Sequence, residues 1–439
     1  MKTTLVVENN SQLADFYGIN LHTWVHSNCV HFKQASNLIE FLQKQKTMPE
    51  LIITRGKIGS EQTADAIADY LAKANITIPM IIIGTSHIDK ADVVHLESSL
   101  DIKGLIQASA KALNVTAKNM ANLEIPDFFE IPIQNFQLIA YTICDVYRQE
   151  ESEEHKLFLK TFDEVSQNDL KDLMTQKVSS LFIKKEERLK FVTNINQEIA
   201  SKLQLKDLNE DEQINAVEMS QELLQEKIER IGITPETVEL ATRNMKFMIN
   251  SAKKAPGLKN LLKRLLKNKA GYLYKHSQIL TYVSAHIMDH LDWGNEEQKT
   301  KLQFISFFHD ITLQNSDQAR IHSEKELKSS ELNEKEKELV RRHAQLTATI
   351  ISKYPNSPVG VEQIIKQHHG VANGLGFSEH YSQNISPMAI VFILAEDLVG
   401  SLIEPPKDFS YKDKISEMRE TYPTQRFKKI IDVLETLTL

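Results

Sequence analysis

Five histidines and two aspartates between residues 276 and 397 are the part of this sequence best able to do chemistry. They are His276 in GYLYKHSQIL, the His309-Asp310 doublet in FISFFHDITL, His343 in VRRHAQLTATI, the His368-His369 pair in KQHHGVANGLGF and Asp397 in VFILAEDLVG. Apolar residues with a helical period flank each of them, which turns the side chains toward an interior. One buried imidazole is ordinarily a hydrogen-bonded core residue. A group of this size is different, because unpaired buried charge and unsatisfied imidazoles are costly, and a metal ion compensates them. Imidazole and carboxylate without cysteine point to iron or manganese, with zinc as the alternative, rather than to a thiolate zinc site. Seven candidate ligands exceed the needs of one tetrahedral ion, so the economical reading is two divalent metal ions. The two oxygens of Asp310 give it the means to bridge both and hold the nucleophilic water between them. Two ions roughly 3.5–4 Å apart are the arrangement used for phosphoester hydrolysis.

In these same segments the sequence resembles the HD-GYP cyclic-di-GMP phosphodiesterases of the HD superfamily, over residues 255–435. FISFFHDITL resembles the family's apolar helix ending in HDIGK, RRHAQLTATII its HPxxGAxIL segment, HHGVANGLGF its HHExxDGxGYP segment, and VFILAEDL the helix with the final aspartate. The resemblance implies metal ligands at His276, His309, Asp310, His343, His368, His369 and Asp397. It also implies cyclic di-GMP as substrate and a substrate loop through Gly374, Gly376 and Phe377. The departures cluster in the groups that grip substrate: Leu313 stands for the HDIGK lysine, Gly370 for a glutamate, Asn373 for an aspartate, and Phe377-Ser378 for Tyr-Pro. Tyr272 stands where some members place a glutamate for a third metal. Gly400 replaces an aspartate, and an arginine is lost near Pro406, where Lys407 is the nearest substitute. Each lost charge-assisted phosphate contact removes about 1.5–3 kcal/mol. Two readings follow: a phosphodiesterase with a weakened grip, or a catalytically silent, metal-stabilised scaffold for cyclic-nucleotide signalling or partner proteins.

The elements that must position these residues are helices. From residue 235 onward apolar residues recur with a period of 3.6, which predicts an all-α HD-type domain over 255–439. The first 115 residues alternate helical segments with short apolar runs, TLVVE (4–8), ELIIT (50–54) and PMIIIG (79–84), the pattern of a doubly wound parallel sheet. This α/β stretch resembles a response-regulator receiver domain without its phospho-acceptor: Arg55 falls at the acceptor position, Glu8 and Asn9 at the acidic pair, and Lys103 at the lysine before the last helix. Without a carboxylate at position 55 no nucleophile is available, so a pseudo-receiver that docks a protein partner or a second copy in a homodimer is expected. Residues 120–204 read as a small α+β connector, with strands in CDVYRQ, HKLFLK and SSLFIKK, and 205–254 as a helical linker with Ile214, Val217, Leu224 and Ile228 on one stripe. His286 and His290 share a helix face without a third ligand, and His322 and His380 read as surface residues.

Composition agrees with a folded chain. Of 439 residues 41% are hydrophobic and 25% charged, and the net charge of −7 argues against a dedicated nucleic-acid or membrane-surface binder. The two cysteines, Cys29 and Cys144, fit no metal or redox spacing and suit a reducing cytoplasm. No stretch approaches the ~18 apolar residues of a membrane span.

Overall fold

A computed structural model of the chain describes residues 2–45, 47–115, 126–150, 152–203, 205, 208–268, 271–378 and 384–437. The expected start of the connector at residue 120, and His380, lie outside them. The chain divides into two compact units, Met1–Met219 and Ser220–Leu439.

The first unit contains two sheets. Strands β1 (Lys2–Val7), β2 (Ser27–Phe32), β3 (Leu51–Arg55), β4 (Met80–Ile83) and β5 (Val93–Leu96) pair in parallel in the order β2-β1-β3-β4-β5. This is the doubly wound order expected from strand–helix alternation. Helices α1 (Ser11–Val25), α2 (Ala35–Lys44) and α3 (Thr63–Lys73) connect β1 through β4, β4 runs to β5 without a helix, and α4 (Ile102–Ala112) follows β5. Because successive residues of a strand face opposite sides, Val6, Ile53 and Ile81 enter one core while Leu5, Val7, Ile52 and Ile82 enter another. The apolar runs marked β1, β3 and β4. β2 and β5 escaped because they are the sheet's edges: SNCVHF and VVHL are only partly buried and carry no continuous apolar run. The second sheet is antiparallel, in the order β6-β9-β7-β8, from β6 (Phe128–Pro132), β7 (Val146–Gln149), β8 (His155–Leu159) and β9 (Ser180–Lys184). Helices α5 (Ile133–Phe136), α6 (Gln167–Thr175) and α7 (Arg188–Lys202) complete the α+β module. It shares one core with the parallel sheet, and Asn20 of α1 and Asn196 of α7 hydrogen-bond each other inside it.

At the C-terminal ends of the parallel strands, Arg55 lies 3.6 Å from Glu8 and 3.4 Å from Glu212, the third residue of helix α8 (Glu210–Ile231). Glu212 is buried and accepts hydrogen bonds from the Ser99 backbone N–H at 2.8 Å and from the Ser99 hydroxyl. A cation therefore stands at the end of β3, where the receiver resemblance would place an acceptor, with a carboxylate from another element paired to it. Lys103 is exposed in the first turn of α4.

Described residues of the second unit are helical: the C-terminal part of α8, then α9 (Pro235–Lys254), α10 (Leu258–Lys267), α11 (Tyr272–Asp289), α12 (Glu296–Phe308), α13 (Ser316–Ala319), α14 (Glu324–Ser329), α15 (Glu334–Ile351), α16 (Val361–Gln367), α17 (Pro387–Ile403), α18 (Tyr411–Thr421) and α19 (Gln425–Glu435). Ile214, Val217, Leu224 and Ile228 of α8 are all buried. Starts are encoded locally. Thr234 and Asn333 form reciprocal capping boxes with Thr237 and Glu336, and Pro235 and Pro387 occupy first-turn positions that need no donor. α17 is buried from Ala389 through Glu396, the mark of a central helix apolar on all sides. No described helix is long and apolar enough to cross a membrane.

Candidate metal centre

Each histidine sits where its helix holds it still. His276 lies in the first turns of α11; His309 caps the C-terminus of α12, with Asp310 next in the chain; His343 lies mid-helix in α15. His368 caps α16 and His369 follows it, after which Gly370 adopts φ +81°, a left-handed conformation that ends the helix. The glycine loop then returns to α15. Gly376 donates its N–H to the Arg341 carbonyl at 2.7 Å, and a Cβ on Gly374 would stand 3.1 Å from the Gln345 nitrogen. Phe377 lays its ring 4.5 Å from that of His369, and Ser378 N–H donates to the His369 carbonyl. Lys407 is exposed in a turn after α17.

Two groups of buried ligand atoms result, one of His276, His309 and Asp310 and one of His343, His368 and His369. Asp310 faces both: one carboxylate oxygen is 3.1 Å from His309 Nε2, the other 3.4 Å from His343 Nε2. Burial pushes the Asp310 carboxyl up, but His309 and then His343 hold it well below the usual range. Burial pulls His309 down, yet Asp310 and Glu396 bring it to about 8.

The geometry of the second group suits a cation. His343 Nδ1–H donates to the Val340 carbonyl and His368 Nδ1–H to the Ile365 carbonyl, both at 2.6 Å. A carbonyl only accepts, so both protons are on Nδ1 and both Nε2 atoms carry lone pairs. Those Nε2 atoms lie 3.1 Å apart, and His369 Nε2 lies 3.0 Å from that of His343. Burial keeps His343, and still more His368 and His369, below the usual imidazole range, so protons do not relieve the repulsion. A divalent ion does, and the backbone carbonyls are the outer partners that orient metal-binding histidines. In the first group, His276 and His309 approach at 3.2 Å between Nε2 atoms, and their Nδ1 atoms are buried with no hydrogen-bond partner. The donor set fits iron, manganese or zinc.

Asp397 does not enter this cluster. Its carboxylate pairs with Lys414 of α18 at 2.8 Å. Glu396, one residue earlier, does enter: Oε1 lies 3.9 Å from His276 Nε2, 3.6 Å from His309 Nε2 and 3.7 Å from His322 Nδ1, with no hydrogen bond to any group. The helix phase explains it. Glu396 is one turn beyond Phe392, whose ring packs on His309 and His368, whereas Asp397 is rotated about 100° further round. Burial, followed by Asp310 and Asp397, pushes the Glu396 carboxyl up to about 8. His322 is no surface residue either; it is half-buried beside the cluster, its ring 5.8 Å from that of His276.

A cavity of about 480 Å³ opens onto the centre, with His322, His368, His369 and Glu396 in its wall. Its cations are already engaged. Arg320 forms a two-pronged pair with Glu404 and lies over the Tyr272 ring, and Lys414 is held by Asp397 and Glu417. Leu313, at the HDIGK-lysine position, is buried.

Residues 273–436 match the family model of the HD domain, so the second unit carries an HD domain, as the motif resemblance expected. No curated protein matches the chain. Among solved structures it is similar to Bd1817, an HDG"Y"P protein from Bdellovibrio bacteriovorus, at 16% identity, over 70% of this chain and 100% of that one, with a TM-score of 0.36.

Proposed function

We propose that the HD domain is a dinuclear-metal phosphodiesterase of the HD-GYP type acting in bacterial signalling, with cyclic di-GMP the first substrate to test. The observation that carries this reading is the facing of the His343 and His368 Nε2 lone pairs at 3.1 Å, while both Nδ1–H groups are committed to backbone carbonyls. His276, His309, Asp310 and Glu396 would hold one ion and Asp310, His343, His368 and His369 the other. Bound there, divalent ions supply Lewis acidity to a phosphoryl oxygen and to an attacking water. Burial keeps His343, His368 and His369 neutral, carbonyl contacts fix the His343 and His368 rings, and Asp310 stands between the two groups. Phe377 and Ser378 line the approach beside His369.

A second reading, a metal-stabilised scaffold without turnover, draws on the engaged cations. Arg320 and Lys414 meet carboxylates before they meet any phosphate. Turnover of cyclic di-GMP and of a chromogenic aryl phosphodiester by protein of confirmed metal content separates the two. Linear dinucleotide or GMP that disappears in Asp310→Ala supports the enzyme. Metal-loaded protein with no turnover of either compound favours the scaffold.

A further inference from the structure

We propose that the substrate of this site is a phosphodiester with a primary ammonium group on one alcohol arm, an amino-alcohol ester rather than a polyanion; this rests on the phosphodiesterase reading above and narrows its substrate. The cavity of about 480 Å³ has two chemically different ends. Its floor is the candidate metal centre. His368 and His369 line it, as does Glu396, a residue only 4% exposed whose Oε1 atom has no hydrogen-bond partner. Its outer wall is anionic. Besides Glu396, the described residues lining the cavity include four carboxylates, Glu326, Asp397, Glu404 and Glu417, and two cations, Arg320 and Lys414.

Pairing within the wall does not cancel its charge. Arg320 meets Glu404 at 2.8 Å, and Lys414 holds Asp397 at 2.8 Å and Glu417 at 3.2 Å. Glu326 accepts the His322 backbone N–H at 2.9 Å, a neutral donor that leaves its charge in place. Four carboxylates against two cations leave two negative charges at the opening. A cleft wall of one sign concentrates the opposite charge. An ester phosphate that reaches the floor meets the ligand cluster, and the arm extending from it toward the opening meets carboxylate. An ammonium on that arm gains charge-assisted hydrogen bonds, whereas a second phosphate is repelled. A cyclic dinucleotide brings two phosphates and no cation. The wall also selects the kind of cation. The Tyr272 ring is covered by Arg320 at 4.8 Å and by the stacked His276 ring, and Tyr422 stacks on Phe427, so these rings offer a quaternary ammonium no open face. Carboxylate acceptors favour a cation that carries N–H donors. In the reaction one ester P–O bond breaks, the water oxygen takes its place on phosphorus, and the leaving alcohol carries away one of the water protons.

Two esters of matched size test this: 2-aminoethyl 4-nitrophenyl phosphate and propyl 4-nitrophenyl phosphate, given to full-length chain of confirmed metal content, with release of 4-nitrophenolate as the readout. Binding is read separately, by isothermal titration of the same protein with 2-aminoethyl phosphate and with propyl phosphate. The aminoethyl compounds are expected to be favoured at least about tenfold in kcat/KM and in Kd, and the preference is expected to shrink as salt is raised. Glu326→Gln/Glu417→Gln, at two exposed positions, is expected to bring both ratios close to one. A preference that survives in this variant would overturn the assignment to the wall. Ratios near one in wild type, or in favour of propyl, would overturn the cationic substrate class and leave the phosphodiesterase reading standing. A binding preference without turnover of either ester would overturn the phosphodiesterase reading and keep the cation-selective wall. Neither turnover nor a binding preference would overturn both.

Discussion

Replacing Glu396 and Asp397 separately asks which of two adjacent carboxylates serves the metal centre. Glu396 Oε1 stands 3.6–3.9 Å from three imidazole nitrogens and bonds to none, while Asp397 pairs with Lys414 at 2.8 Å. Glu396→Gln keeps the shape but removes the anionic ligand. Loss of an outer-shell partner alone costs a metal site 10–100-fold in affinity, so losing a ligand should cost at least about 100-fold, or about 2.7 kcal/mol. The same change removes a buried carboxylate that lacks a hydrogen bond, so the metal-free protein should hold or gain stability. Asp397→Asn should do the reverse. Lys414 keeps Glu417 at 3.2 Å, so the cost to folding is about 1–2 kcal/mol, and metal affinity should change less than threefold. Isothermal titration with Mn²⁺ reads affinity, and thermal unfolding of the chelated proteins reads stability. If Asp397→Asn strips the metal and Glu396→Gln does not, the helical phase assigned to α17 is wrong and so is the composition of the site.

Other consequences are open to measurement. Chelation should lower the melting temperature of the second unit: two sites each at a hundredfold excess over Kd contribute about 2.7 kcal/mol apiece, which for a unit of this size is about 10–20 °C. An unchanged melting temperature on chelation of metal-loaded protein would contradict the lone-pair argument at His343 and His368. Glu212→Ala removes the hydrogen bonds from Ser99 and the Arg55 pair, and should destabilise the first unit by about 2–4 kcal/mol, with faster amide exchange at residues 96–100. Unaltered exchange there would show that the contact does not hold. Removing both carboxylates that hold Arg320, in Glu404→Gln/Asp317→Asn, should lower KM for an aryl phosphodiester roughly tenfold, and an unmoved KM would exclude Arg320 from substrate contact.

The parts of the fold legible in the sequence were those whose burial leaves a period. β1, β3 and β4 are apolar on both faces and α1 lies over SQLADFYGINLHTWV as expected, whereas β2 and β5 are edge strands with half-wet faces and no signal to read. The histidines were legible because burying so many imidazoles is improbable without a purpose. What the motifs did not resolve was phase. In VFILAEDLVG two carboxylates follow each other, and the resemblance selected the second. Helical arithmetic alone does not choose between them, because Ile393 and Gly400 lie three or four residues from both; what separates them is the fold, which sets Lys414 of α18 against Asp397 and the His276 and His309 rings against Glu396. His322 was hidden for a different reason. It sits between two short helices, so no periodicity marks it as inward, and only the tertiary placement of that loop brings it to Glu396.

The same contrast bears on why, under the proposed function, the grip positions depart from the family pattern while the proposed ligand histidines follow it. A ligand histidine is bound to its place by its helix and by a backbone carbonyl, as His343 is by Val340 and His368 by Ile365. Replacing one leaves the remaining lone pairs and Asp310 uncompensated in the core, at several kcal/mol. A phosphate-gripping cation at the cavity wall carries no such penalty. Leu313 simply joins the core, and Arg320 and Lys414 find carboxylates across the opening. Folding thus constrains the metal ligands even where catalysis does not, so their presence supports metal binding more strongly than turnover. The engaged cations are the features on which activity turns, and releasing Arg320 from Glu404 is the perturbation that reports on it most directly.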